Sequence, residues 1–196
     1  MRKLFLSCAV LMLIGPWAAQ ADGPVDPDAN SLGLYFDTEG TQMEAWSDPF
    51  QPVEMYVVLT RPTFDAIYGL EYGITFDGMF VASVHAVNGG GIIDPPAWDN
   101  FILGWLTPTP VSEATWLVHI GGLYIDATQG PVTFRLHGSI PSSLPGNLPV
   151  ALLADGVLQQ LTTPVAPGAV CAQINGEEGI IAIEGAYWGA VKSLYR

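Results

Sequence analysis

Apolar residues in this chain recur at every second position, and that period of two constrains the fold more than any other feature. It runs through VEMYVVLT (53–60), YGLEYGITF (68–76), MFVASVHAV (79–87), NFILGWLT (100–107), TWLVHIGGLYI (115–125) and VTFRLHGS (132–139). These segments are rich in β-branched and aromatic residues, which suit a pleated, half-buried surface. Clusters of Pro, Gly, Asp and Asn separate them: RPT, FDG, NGGGIIDPP, TPTP and TQGP. LGLYFD (32–37) reads as the first strand, and PVALLAD (149–155), VLQQLT (157–162) and AVCAQIN (169–175) as three shorter ones. Asp155-Gly156 is a two-residue hairpin signal, because both residue types tolerate positive φ. About nine or ten short strands with no long amphipathic helix between them predict an all-β fold, an antiparallel β-sandwich or jelly roll, and exclude a βαβ architecture.

The two ends read differently. Arg2 and Lys3 precede an apolar run from Leu4 to Ile14, Gly15-Pro16 close it, and Ala19-Gln20-Ala21 supply small residues. This is the plan of a secretory signal peptide over residues 1–21. The run is too short to span a bilayer, and no later segment is long and apolar enough to do so. A lipid-modified Cys8 is the rival reading, but Cys8 stands before most of the apolar run. Residues 22–31 form a polar, solvated lead-in, 32–185 the β-sandwich, and 186–196 (AYWGAVKSLYR) a short amphipathic C-terminal helix. In that tail Trp188, Val191, Leu194 and Tyr195 share one helical face, with Lys192 and Arg196 near its C-terminus. So short a helix must dock, on its own sandwich or on a partner.

Charge narrows the partners. The full chain carries 6 basic and 19 acidic residues, and removing Arg2 and Lys3 leaves 4 against 19, a formal net charge of −15. A surface this acidic repels phosphate backbones and anionic bilayers, so nucleic acid is excluded as a partner. Removal of the leader also takes Cys8, leaving Cys171 as a lone thiol in an apolar context. No intramolecular disulfide is then available, and burial must hold the domain together.

Several constellations carry chemistry on paper. DPDANSLGLYFD (26–37) places Asp26, Asp28, Asn30 and Asp37 at offsets that resemble a calcium loop. Ser31 stands where such a loop needs glycine, and the strand pattern carries Asp37 away from Asp26. Asp26 and Asp28 remain as weak calcium candidates, beside the plainer reading of a solvated linker. His85, His119 and His137 each fall in a strand, with no local metal spacing, so only convergence in space could make them a zinc site. Glu71 and Glu113 are the carboxylates nearest aromatics, and a glycoside hydrolase would need such a pair in one cleft. No G-x-S-x-G, no phosphate-binding loop and no activated thiol are present. No cofactor is implied. Trp98, in a Pro-rich loop, and Trp46 are the candidate platforms for a sugar ring. Trp105 and Trp116 belong to apolar strands and read as core.

Residues 53–87 resemble the early strands of cohesins, with Gly69-Leu70-Glu71-Tyr72-Gly73-Ile74-Thr75-Phe76-Asp77 matching a strand of the form G-x-x-apolar-x-apolar-x-aromatic-Asp. The chain also resembles small uncharacterised secreted bacterial proteins, with a β-sandwich of cohesin or carbohydrate-binding type, through its SLGLYFDT start and WGAVKSLYR tail. These resemblances imply export and a binding scaffold. The expectation is a non-catalytic module, periplasmic, cell-surface or extracellular, that binds a protein partner. Trp188, Lys192 and Tyr195 are then contact residues in the tail. The alternatives are a glycan-binding module using Trp98 and Trp46, or a hydrolase.

Overall fold

A computed structural model describes residues 24–94, 98 and 100–176. Twelve strands occur among them: β1 (Ser31–Tyr35), β2 (Glu44–Ala45), β3 (Gln51–Thr60), β4 (Ala66–Asp77), β5 (Phe80–Val87), β6 (Ile92–Ile93), β7 (Phe101–Pro110), β8 (Ala114–Tyr124), β9 (Val132–His137), β10 (Val150–Leu153), β11 (Leu158–Gln160) and β12 (Val170–Ile174). The helical expectation for residues 186–196 lies outside the described residues. Within them the only helical element is a single 3-10 turn, Asn88–Gly90.

The strands form two sheets. The smaller has the order β1-β3-β8-β5, and the larger follows β11-β10-β4-β9-β12-β2, with β7 on β4 and β6 on β7. β4 is the organiser of the larger sheet. It holds β7 along Ala66–Tyr72, β10 along Ile67–Glu71 and β9 along Gly73–Asp77. All the strand–strand pairings are antiparallel except β12 with β2, and an isolated parallel bridge joins Ser31 to Thr162. Neither β2 nor β6 shows a strand pattern in the sequence, because a two-residue strand has no period to read. At Asp155-Gly156 the chain does turn between β10 and β11, but only Gly156 takes positive φ (84°). Asp155 instead accepts the Val157 amide on its carboxylate at 3.0 Å.

The alternation turns directly into a core. On β7, Phe101, Leu103 and Trp105 are buried, while Ile102 and Leu106 face solvent. Leu34, Met55, Val57, Tyr72, Ile74, Phe134 and Cys171 join them in the core. Each fully buried aliphatic or aromatic side chain is worth about 1.5–3 kcal/mol over its exposed state, and no disulfide assists.

The lead-in to β1 corrects an expectation. It is not a solvated linker: Asp26 is fully buried. The Val25 amide donates to Gly40 O at 3.0 Å, the Asn30 amide to Arg61 O at 3.0 Å, and Arg61 Nε to Asp26 O at 3.1 Å. Asp26 accepts the Asp28 amide at 2.9 Å and the Ser31 hydroxyl on its other oxygen. Burial raises its pKa above the ordinary carboxylate value, and these hydrogen bonds only partly oppose the rise.

Candidate functional site

Two exposed faces offer recognition chemistry, one on each sheet. On the outer face of the larger sheet, register aligns Leu158, Leu152, Gly69, Gly104 and Ile92 in one row across β11, β10, β4, β7 and β6. The next row brings Val150, Glu71 and Ile102 side by side. The two glycines leave the middle of the first row without side chains. A Cβ on Gly104 would meet nothing within 4 Å, whereas one on Gly69 would stand 3.2 Å from Leu103 O, so Gly104 opens the trough and Gly69 forms its close-packed floor. The result is a pair of adjoining concavities of about 170 and 490 Å³ that share Ile102 and Leu103. Leu106 (91% exposed), Ile92 (64%) and Ile102 (45%) stand along them in solvent. An isolated exposed leucine is ordinary, but apolar side chains collected along one groove mark a binding surface.

Glu71 borders this groove, and its role there is structural. It accepts the Ser143 amide at 2.6 Å, the Ser143 hydroxyl at 2.8 Å and the Ser142 hydroxyl at 3.1 Å, tying the loop before β10 to the sheet. Glu113 lies beyond β7 in the turn to β8 and is not among the residues lining the groove. The structure does not bring this carboxylate pair into a shared cleft.

The outer face of the smaller sheet carries a second constellation. Glu54 on β3, His119 on β8 and His85 on β5 converge, with one ligand atom from each lying within 4.8 Å of the others. Register sets this up: Tyr56 is opposite His119, and Glu54 opposite Gly121. On β5 the pairing slips between Val84 and Ala86, which leaves His85 as the extra residue of a bulge. A bulge re-aims a side chain. Here it turns His85 outward over Gly121, where a Cβ would collide with the imidazole. His119 Nε2 hydrogen-bonds Glu54 Oε2, and His85 Nδ1 lies 3.7 Å from the same oxygen. The Tyr56 ring stacks on His119 at 4.8 Å and 10°, and His85 meets His119 edge-on at 5.2 Å. Trp116, read as core, sits half-buried on this face and packs edge-on against Tyr56. His137 does not join the other histidines. It is buried on β9, with Nδ1 2.6 Å from Gly138 O.

The tryptophans divide. Trp98 does not stand free as a platform. It is half-buried and packs edge-to-face on Phe76 (6.0 Å) and Phe101 (5.4 Å). Trp46 is 79% exposed and borders a polar hollow of about 210 Å³ with Ser47, Asp48, Gln129 and Asn175. Asp28 is half-buried beside the engaged Asp26, whose two carboxylate oxygens already accept protein donors. Trp188, Lys192 and Tyr195 lie outside the described residues. Cys171 is fully buried, and burial pushes its thiol up to about 12. Sequence reasoning missed Glu54 and the glycine row. Strand register alone assembles both, although the slip in apolar spacing from Val84 to Val87 was a visible sign of the bulge.

No protein-family model matches the sequence, and no curated protein is similar to it in sequence. Solved structures are similar in fold. The second type II cohesin module from the ScaA scaffoldin of Acetivibrio cellulolyticus aligns at TM-score 0.52 and 14% identity, covering 78% of this chain and 99% of that one. The sixth cohesin of scaffoldin B from the same organism, crystallised with a Cel5 dockerin, aligns at 0.50 and 11%, covering 76% and 100%. A type I cohesin–dockerin complex from Clostridium thermocellum aligns at 0.50 and 9%, covering 75% and 98%. With both sheets and their register in place, the chain has a cohesin-like β-sandwich fold.

Proposed function

We propose that this chain is an exported, non-catalytic interaction module that binds a protein partner through the outer face of its larger sheet. The observation that carries the reading is the apolar groove floored by Gly69 and Gly104 and edged by Ile92, Ile102, Leu106 and Leu158. A sheet face with a backbone-deep trough and solvent-standing aliphatic side chains is suited to a protein segment that inserts its own apolar side chains. Asp94, just past β6, donates its amide to Ile102 O, and the exported chain is strongly acidic, so the partner surface is apolar with a basic rim. The cohesin-like fold supports the reading, since several cohesins of that fold were crystallised with dockerins. Export rests on residues 1–21.

The test is affinity capture from envelope and secreted fractions with residues 22–196 as bait, beside Ile102→Asp/Leu106→Asp and a bait ending at 185. A partner retained by the wild type and lost by the double variant supports the groove. A partner indifferent to the double variant but lost by the truncation moves the contact to the tail.

Trp46 favours a second reading, a glycan platform, because its indole is exposed beside amide and carboxylate groups. Glycan-array binding abolished by Trp46→Ala supports it, and an array without any hit sets it aside.

A further inference from the structure

We infer that Glu54, His85 and His119 form a binding site for a late first-row divalent metal, zinc foremost, on the outer face of the smaller sheet. Two imidazoles and one carboxylate are a donor set that suits zinc. Zinc bonds of about 2.0–2.1 Å in a tetrahedron put ligand atoms about 3.3 Å apart. His85 Nδ1 and Glu54 Oε2 stand at 3.7 Å, and all three ligand atoms lie within 4.8 Å of one another. Closing the cluster on an ion therefore needs side-chain adjustments at its three ligands, with their strands held in place.

The surroundings favour a built site over a chance meeting of surface side chains. Tyr56 stacks on His119 and fixes its ring plane. Gly121 leaves room for the His85 ring, and the β5 bulge turns that ring outward from the sheet and over Gly121 toward the cluster. The three ligands come from three adjacent strands, so their backbone spacing is held by the sheet. Packed groups that orient the ligands are what separates a metal site from a salt bridge. His85 and Glu54 are each near half-exposed, so the fourth position opens to water or to a side chain from another molecule. The ion would also clip β5, an edge strand of its sheet, across β8 to β3.

The experiment is zinc titration calorimetry on the untagged exported protein, beside His85→Ala/His119→Ala and Glu54→Gln. One zinc per chain is expected, with affinity at least tenfold weaker in Glu54→Gln and no stoichiometric uptake by the double variant. Melting without metal checks that the variants fold. Added zinc should then raise the Tm of the wild type and leave the double variant unmoved. Cobalt substitution should give the intense visible band of four-coordinate cobalt in the wild type. Absent stoichiometric uptake, or equal uptake by the double variant, would overturn the assignment. The groove reading stands or falls separately, since Ile102 and Leu106 lie on the other sheet.

Discussion

The imidazole of His85 occupies the space that Gly121 leaves by having no side chain. His85 stands at the bulge of β5, and Gly121 is paired with Glu54 on β3 and with Ser83 on β5. One missing Cβ thus allows a histidine on one strand to approach a carboxylate two strands away. Gly121→Ala should push His85 out of the cluster without disturbing the core on the opposite face. The expected outcome is a zinc affinity at least tenfold below wild type, at a folding cost of about 1–2 kcal/mol, both read on the same protein by calorimetry and urea unfolding.

Trp98 and Trp46 should behave in opposite ways. Trp98 wedges between Phe76 and Phe101 and is half-buried, so Trp98→Ala should cost about 2–3 kcal/mol and lower Tm by roughly 5–10 °C. Trp46 stands in solvent, and Trp46→Ala should leave Tm within about 1–2 °C of wild type. Calorimetric melting of the two variants checks the contrast. Equal effects would contradict the packing described for Trp98.

The groove should be separable from stability. Ile102 and Leu106 face solvent on β7, so Ile102→Asp and Leu106→Asp should each change unfolding free energy by no more than about 0.5 kcal/mol. Between them, Leu103→Ala should cost about 2–5 kcal/mol, because it empties the core side of the same strand. Denaturant unfolding of the three variants would show that alternation as energy.

Asp26 sets a pH dependence. Its pKa is raised in the folded chain, chiefly by burial, so the folded state holds the proton more tightly than the unfolded state does. That contribution is fully present below the ordinary carboxylate value of 3.8 and is lost as pH rises through the folded value. Asp26→Asn keeps the shape, removes the buried charge and should flatten this part of the profile, with its advantage over wild type growing toward neutral pH. Urea midpoints at pH 4 and pH 7 decide it. A wild type that gains on the variant as pH rises would contradict it.

Cys171 should be silent until the chain opens. Its thiol is fully buried and pushed up to about 12, so little thiolate exists at pH 8. An aromatic disulfide reagent should label the native chain at least a hundredfold more slowly than the urea-unfolded chain. Fast native labelling would mean the β9–β12 pairing opens readily.

The period-two pattern by itself determined the longer strands, though not β2 or β6. VEMYVVLT became β3, TWLVHIGGLYI became β8 and VTFRLHGS became β9, each within a few residues. Alternation is local, so a linear reading recovers it. It also determined which face of β7 is buried, since Phe101, Leu103 and Trp105 fall in phase. Register lay beyond it. Glu54, His85 and His119 are separated by 31 and 34 positions, and no spacing rule joins them. They meet because Tyr56 pairs with His119 and a bulge turns His85 outward. Gly69 and Gly104 likewise read as ordinary strand glycines until antiparallel pairing set them side by side. Asp26 looked like a solvated acid because its chain neighbours are polar, but its segment is pinned by Gly40, which accepts the Val25 amide, and by Arg61, which donates to Asp26 O, both distant in sequence. Periodicity is a property of one strand, whereas a site on a sheet is a property of several. Only the tertiary fold chooses which residues of distant strands stand opposite one another.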